Sequence, residues 1–424
     1  MIGNTNQGYI GGKKLGEVRS IRNAFLVINV DSGKITALGS MDELDGERES
    51  HAINLCGKTI TPQFNDCHTH LGFAGDRIDE KTGKYCEGKS YAAPTGTVSG
   101  IMASALPTRK ASTTELIELA LQRMDHLYME GTGHLEAKTG YGLDFESEIK
   151  LAHVYQQIRH ALKIAKITFL GAHAVPSEFV NGGVKDYEGY SRVVLQTLDE
   201  LVKQRLIHRI DVFCDPVGFP VEHTEKIMRA GFEHGLEGTM HIEQTEYIGG
   251  IELAARLAKE YPRLLRSVSH LEHSLPRGSD AMHALVEAGV VFEQLPFVSI
   301  SSPPYERPDT RQIIDEFNGS VAIATNLNPG TGDGRSQKLA GELAWCHFRM
   351  SPEEVLSALT AVPARLLGID KETGTLEAGK DASFLIHNVP ELKYVFSTLG
   401  SSTIEQIFDR GKVRFMQSVP RFVE

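Results

Sequence analysis

From Thr59 to about Cys346 the chain repeats one pattern, a short strand-like apolar run followed by an amphipathic helical stretch. The runs are Thr59-Ile60-Thr61-Pro62-Gln63-Phe64, His134-Leu135-Glu136-Ala137-Lys138, Ile167-Thr168-Phe169-Leu170, Ile210-Asp211-Val212-Phe213, Gly238-Thr239-Met240, Ser267-Val268-Ser269, Val290-Val291-Phe292 and Val321-Ala322-Ile323-Ala324-Thr325. Between them the helical period places apolar residues on one face. The first such helix carries Leu116, Leu119, Ala120 and Leu127 behind a capping box, Ser112-Thr113-Thr114-Glu115. Others are expected around 149–162, 190–201, 222–232, 250–260 and 282–287, and from about 337. Strands separated by helices need crossover connections, so they pair in parallel. About eight such units predict an α/β protein built on a TIM-like (β/α)8 barrel. An open doubly wound sheet is the alternative, but no Gly-x-Gly-x-x-Gly follows any of these strands.

The two ends read differently. Ala24-Phe25-Leu26-Val27-Ile28, a turn at Asp31-Ser32-Gly33-Lys34, and Ile35-Thr36-Ala37-Leu38-Gly39 form a hairpin pattern. Ala382-Ser383-Phe384-Leu385-Ile386 and the run from Gln406 to Val413 repeat it. We therefore expect a small composite β-sandwich domain from residues 1–60 plus 370–424, with the barrel spanning 61–369. A chain of 424 residues is long enough for both cores.

Composition narrows the partners. A net charge of -11 disfavours nucleic acid or an anionic membrane as a partner. There is no apolar run of membrane-spanning length and no signal-peptide pattern, so neither a membrane nor an export route is expected. Five scattered cysteines without a Cys-x-x-Cys argue against a disulfide framework and fit a cytoplasmic setting.

Chemistry-bearing side chains fall at the ends of the predicted strands, where barrel enzymes place their sites. His68 and His70, in Asp66-Cys67-His68-Thr69-His70, stand at i and i+2 and so project to one side of an extended chain. Their rings can converge on one metal ion, and His241 ends a later strand as a third ligand. Cys67 between them is expected to face away. Lys138 and Tyr141, His173, Asp215, His270, Gln294 and Asn326 also sit at strand ends. His173 is suited to polarising a carbonyl, and His270 to holding a water or passing a proton.

With these residues in view, the chain resembles the amidohydrolase superfamily and, within it, is similar to imidazolonepropionases. The segments that carry the likeness include the run from His68 to Arg77, Lys138-Thr139-Gly140-Tyr141-Gly142-Leu143-Asp144, and Thr168 to Pro176. Ser269-His270-Leu271-Glu272, Asn328-Pro329-Gly330 and Gly374 to Ala382 extend it over nearly the whole length. The resemblance implies one zinc or iron ion in the barrel, a β-sandwich from the termini, a homodimer, and hydrolysis of a ring C–N bond in 4-imidazolone-5-propanoate. It implies His68, His70 and His241 as metal ligands, His173 and His270 as site residues, and Arg77 and Tyr141 as substrate contacts. Arg77 would grip the substrate carboxylate in a fork.

Two positions depart from the family pattern. Asn326 stands where the family has an aspartate that ligates the metal and shuttles a proton. His241-Ile242-Glu243-Gln244 places Gln244 where a glutamate is common. Asn326 can still offer an oxygen to the metal, and Gln244 can still hydrogen-bond, but neither takes a proton. Three explanations stand open: a paralogue with altered chemistry, a shuttle moved to Asp333, Glu243, Glu272 or His270, or a variant, natural or engineered, with impaired turnover. The expected activity is hydrolysis of a five-membered nitrogen ring with a propionate tail. Desulfuration of a thiohydantoin analogue, which needs no proton for its leaving group, and hydantoin opening are the enzyme alternatives. A catalytically silent ligand-binding barrel is the non-enzyme one.

Overall fold

The computed structural model describes residues 3–6, 8–44, 52–87, 100–301 and 306–416; the outermost parts of the expected terminal domain, 1–2 and 417–424, lie outside them. In chain order the strands begin with the hairpin β1 (Ala24–Asn29) and β2 (Lys34–Ser40), then β3 (Thr59–Pro62). There follow β4 (Phe64–Asp66), β5 (Thr132–Lys138), β6 (Ile164–Ala172) and a two-residue hairpin, β7 (Val180–Asn181) and β8 (Val184–Lys185). Next come β9 (Arg209–Cys214), β10 (Glu237–Ile242), β11 (Leu265–His270), β12 (Val291–Gln294) and β13 (Ser320–Ile323). The chain ends on β14 (Phe384–His387), β15 (Ile404–Asp409) and β16 (Lys412–Met416).

Eight strands form one sheet in the order β13-β12-β11-β10-β9-β6-β5-β4, every neighbouring pair parallel. The sheet closes on itself just beyond β4 and β13. Thr69 bridges Leu327 in parallel, Asn326 N–H donates to His68 O at 3.0 Å, and His70 N–H donates to Leu327 O at 2.9 Å. This is the expected (β/α)8 barrel. Its helices run close to expectation: Phe145–Ile158, Tyr187–Lys203, Val221–Glu233, Gly250–Glu260, Ser279–Glu287 and Gln337–Cys346. Ser112 Oγ accepts from Glu115 N–H at 3.1 Å to start the helix Thr113–Met129. The reciprocal capping box forms at Ser351 and Glu354 instead.

One expected strand divides in two. Thr59–Pro62 joins a four-stranded antiparallel sheet in the order β16-β15-β14-β3, while Phe64–Asp66 enters the barrel. Gln63 is the joint, its Nε2 donating to Phe408 O at 2.9 Å. Strands from the two ends of the chain thus pair, Thr61 opposite Leu385 and Ile60 opposite Ile386. The β1–β2 hairpin joins through the Lys34–Asp381 bridge, and a small apolar cluster of Ile35, Leu376, Phe384 and Ile386 lies beneath it.

The barrel interior is polar. Ile210, Val212, Met240, Val268 and Phe292 are sealed from solvent in the main core, while the alternating residues Asp211, Thr239, Ser267 and Glu293 bond to one another's strands. Lys138 Nζ lies 2.9 Å from Asp211 Oδ2 and 2.9 Å from Glu136 Oε2. Strands β5 and β9 are not neighbours, so the Lys138–Asp211 pair spans the interior. Buried charges are costly unless their partners are close and complete, and here they alternate in sign.

Candidate metal centre and active site

His68 and His70 flank the bridging residue Thr69 just past β4, and this extended backbone sends both rings to one side. They sit beyond the strand's end, not within it. His241 is the penultimate residue of β10. One ring nitrogen from each of the three lies within 4.8 Å of the others, and all three residues are buried. His68 Nε2, His70 Nδ1 and His241 Nε2 are sealed from solvent without a hydrogen-bond partner. Unpartnered buried nitrogens on all three rings of one cluster are costly, and three such imidazoles could hold a metal ion. Cys67, between the two ligand candidates, is buried in the core with its thiol pushed well up by burial, and lies outside the cluster.

The far side of two rings is already committed. His68 Nδ1 stands 2.7 Å from Glu293 Oε2, and His241 Nδ1 stands 3.0 Å from Asp211 Oδ1. The ionised Asp211 calls for a proton on His241 Nδ1 and leaves its Nε2 lone pair to the cluster, as metal-binding histidines require. Burial pushes Glu293 up to about 8, and a cation at the cluster favours its ionised form, with the same tautomer at His68. Burial, with Lys138 and the other histidines nearby, holds His68 well below the usual imidazole range. Burial and His173 do the same for His70. Burial lowers His241 too, against the pull of Asp211. Burial alone would raise Asp211, but His241 and Lys138 beside it hold its carboxyl well below the usual range. Neutral rings and an ionised carboxylate behind them suit a divalent cation. Replacing Asp211 by Asn is expected to weaken metal binding by roughly 10–100-fold. Competition against a chromophoric chelator, at unchanged circular dichroism, measures it.

Tyr141, His173 and His270 stand against the cluster's rings, and Asn326 is tied by its backbone to His68. Asn326 is buried at φ +51° and tied by its backbone to His68 O and to Asn328 Nδ2, the latter at 2.6 Å. His173 stacks on His70 at 5.2 Å between centroids, with Nδ1 3.0 Å from Gly140 O. Burial and His241 hold it down at about 3. A carbonyl opposite Nδ1 requires a proton there, so Nε2 of the neutral ring accepts a hydrogen bond. It cannot donate one to a substrate carbonyl, as the sequence suggested. Tyr141 packs its ring against His70, Phe73 and His173 at 5.2–5.7 Å. Its loop is pinned by Glu148, which accepts from the N–H groups of Gly140, Gly142 and Leu143 at 2.7–2.9 Å. Gly140, at φ +99°, admits no side chain, because a Cβ would lie 2.7 Å from Leu170 O.

Arg77 differs from expectation in an informative way. Its fork is held by Glu80, Nε donating to Oε2 at 3.0 Å and Nη2 to Oε1. Nη1 lies against Gly330 in the loop after β13, where a Cβ would collide with it. Gln244 is half-buried on the loop after β10. His270 ends β11 at φ +75°, its ring 5.3 Å from that of His241 and 6.2 Å from that of His68. Lys138 points into the barrel interior with Asp211, beneath the cluster. Asp215 binds Thr245, and Gln294 binds Thr310, so both serve their loops.

Sequence reasoning missed Asp211, Glu293 and Glu148. The signal for the first two was present. Asp211 is a lone carboxylate between Ile210 and Val212, and Glu293 follows the apolar run Val290-Val291-Phe292, each in a buried strand where charge seldom sits without a partner. Glu148 carried no such signal, since its partners are backbone N–H groups of a loop.

A closed parallel barrel with a buried three-histidine cluster at its strand ends, two of the rings backed by carboxylates, defines a metal-dependent hydrolase of the amidohydrolase class. The sequence profile of the amidohydrolase family matches residues 222–414. Among solved structures, 5-methylcytosine deaminase from Klebsiella pneumoniae shares the fold with a TM-score of 0.71 at 14% identity, over 96% of this chain and 97% of that one. The chain belongs to the imidazolonepropionase family. It is 34% identical over 410 residues to the imidazolonepropionase of Geobacillus thermodenitrificans, covering 95% of this chain and 92% of the relative. It is 32% identical to that of Clostridium tetani, covering 98% and 96%.

Proposed function

We propose that this protein opens 4-imidazolone-5-propanoate by hydrolysing its ring amide C–N bond, yielding a new carboxylate and an amidine. The observation that carries the reading is the set of three histidines with unpartnered buried nitrogens, two of them backed by Glu293 and Asp211, in a chain similar over nearly its whole length to imidazolonepropionases. His68, His70 and His241 would hold one divalent ion, with Asn326 offering its amide oxygen beside His68. Zinc suits three neutral imidazoles and an oxygen, and iron is the second choice. When bound there, the metal supplies a Lewis acid and an acidified water.

The other residues bind and orient. Arg77 supplies the cation for the propionate. Tyr141 borders the ring pocket, and His173 Nε2 accepts the ring N–H. Gln244 hydrogen-bonds the ring from the β10 loop. His270 handles the proton, because the amide of Asn326 cannot. The family likeness supports this ring over the thiohydantoin and hydantoin alternatives and over a silent barrel. A cytoplasmic homodimer completes the reading; five free cysteines support the compartment.

The test is loss of the substrate's ultraviolet absorbance on addition of protein loaded with zinc. Turnover that disappears on chelation and returns with metal is expected. A metal-loaded protein that consumes the thioxo or dioxo analogue but leaves the imidazolone intact sinks the proposal.

A further inference from the structure

Hydrolysis of a ring amide needs a group that takes a proton from the attacking water as the C–O bond forms. The same proton must reach the ring nitrogen as the C–N bond breaks. Most carboxylates near the cluster are already committed. Glu293 and Asp211 hold His68 and His241. Glu243 accepts from the N–H groups of Ile248, Gly249 and Gly250 and from Ser274 Oγ, which ties it to the start of the helix Gly250–Glu260. Asp333 is exposed and paired with Arg335 at 3.0 Å.

Glu272 stands apart from these. Its side chain is 3% exposed and that of His270 is 2% exposed, and Glu272 Oε2 faces His270 Nδ1 across 3.5 Å. Both atoms are sealed from solvent, and neither makes a hydrogen bond. The backbone joining them holds two successive non-glycine residues in the left-handed region, His270 at φ +75° and Leu271 at φ +73°. Such a conformation is strained and persists only where its surroundings enforce it. The turn is held by Leu271 N–H on Ile242 O at 3.0 Å and His273 N–H on Glu243 O at 3.1 Å. Its effect is to bring the carboxylate back against the imidazole two residues earlier.

We propose that Glu272 is the positioning residue for His270. A carboxylate 3.5 Å opposite Nδ1 favours by its charge a proton on that nitrogen, which leaves Nε2 as the acceptor beside His68 and His241. The inference rests on the proposed hydrolysis for its catalytic meaning, but its structural core can be read without substrate.

The test uses the full-length, metal-loaded protein with 15N-labelled histidine, the His270 signal assigned by loss in His270→Asn. In the parent protein the His270 ring is expected as a single Nδ1–H tautomer. In Glu272→Ala it becomes a mixture, kcat falls roughly 30-fold, and KM and bound metal stay within twofold. Glu272→Gln keeps an oxygen opposite Nδ1, so it retains the tautomer, restores most of kcat, and moves the Nδ1 proton upfield because a neutral oxygen attracts it less than a carboxylate does. A His270 spectrum unaltered in Glu272→Gln overturns the proposal, including where Glu272→Ala does not fold. So does Glu272→Ala with unchanged kcat. If the parent protein leaves imidazolone propionate intact, the proposed function fails, and the spectra still decide the role of Glu272.

Discussion

His70→Ala is expected to abolish turnover, by roughly 10³-fold or more, because the metal contributes several kcal/mol of transition-state stabilisation. Bound metal, measured by plasma emission spectroscopy after gel filtration, should fall well below one equivalent. His70 is the cleanest of the three ligands to remove. Its partners are rings, His173 stacked at 5.2 Å and Tyr141 edge-on at 5.7 Å, and the alanine leaves no carboxylate stranded. His68→Ala, by contrast, would also strip Glu293 of its histidine inside the barrel. Leaving one member of such a buried pair costs about 3–5 kcal/mol of stability, which confounds the reading. A His70→Ala protein that keeps a full equivalent of metal and its activity would refute the proposed metal centre.

The second large effect is on substrate capture. Arg77→Ala is expected to raise KM by roughly 10²-fold, since a charge-assisted hydrogen bond to a carboxylate is worth about 1.5–3 kcal/mol. kcat should change little, because the propionate is remote from the bond that breaks. Glu80 decides how this happens. It already holds Nε and Nη2 of Arg77, and its Oε2 also accepts from Gly100 N–H at 2.9 Å. Nη1 lies against Gly330, in the loop that Asn328 ties together after β13. On the proposed reading, Glu80 orients the guanidinium instead of competing for it. Glu80→Gln should therefore raise KM about tenfold, since it weakens one of two charged bonds that aim Arg77. A fall in KM in that variant would show that Glu80 is a rival of the substrate carboxylate. Arg77→Lys keeps the charge but cannot be held by the same two-point clasp, and its KM should lie between the two.

How much of the site was legible beforehand varies with the kind of interaction. The histidines at 68, 70 and 241 stood out because metal-ligand chemistry uses few residue types, and because strand ends of a barrel converge by topology. Asp211 and Glu293 were legible as buried carboxylates in need of a partner, but which histidine each would face was not, since the partners lie 30 positions away for Asp211 and 225 for Glu293. For Arg77 the family resemblance implied a carboxylate binder, but the clasp by Glu80 was not legible. For His173 the residue was found and its polarity was not, since that depends on Gly140 O lying 3.0 Å from Nδ1.

By itself the sequence determined the alternation of strand and helix and hence the parallel barrel, because hydrophobic period and crossover geometry are local properties. It also determined which residue types reach the barrel mouth. Only the tertiary structure decided where the strand from Thr59 to Asp66 divides between two sheets, since each half is equally strand-like and its partners lie elsewhere in the chain. Likewise only the fold decided which carboxylates orient histidines and which cap helices. Glu243 and Glu272 are alike on paper, yet one is saturated by backbone N–H groups and the other faces an imidazole. Hydrogen-bond partners are assigned by proximity, and proximity between distant residues is set by the closed barrel.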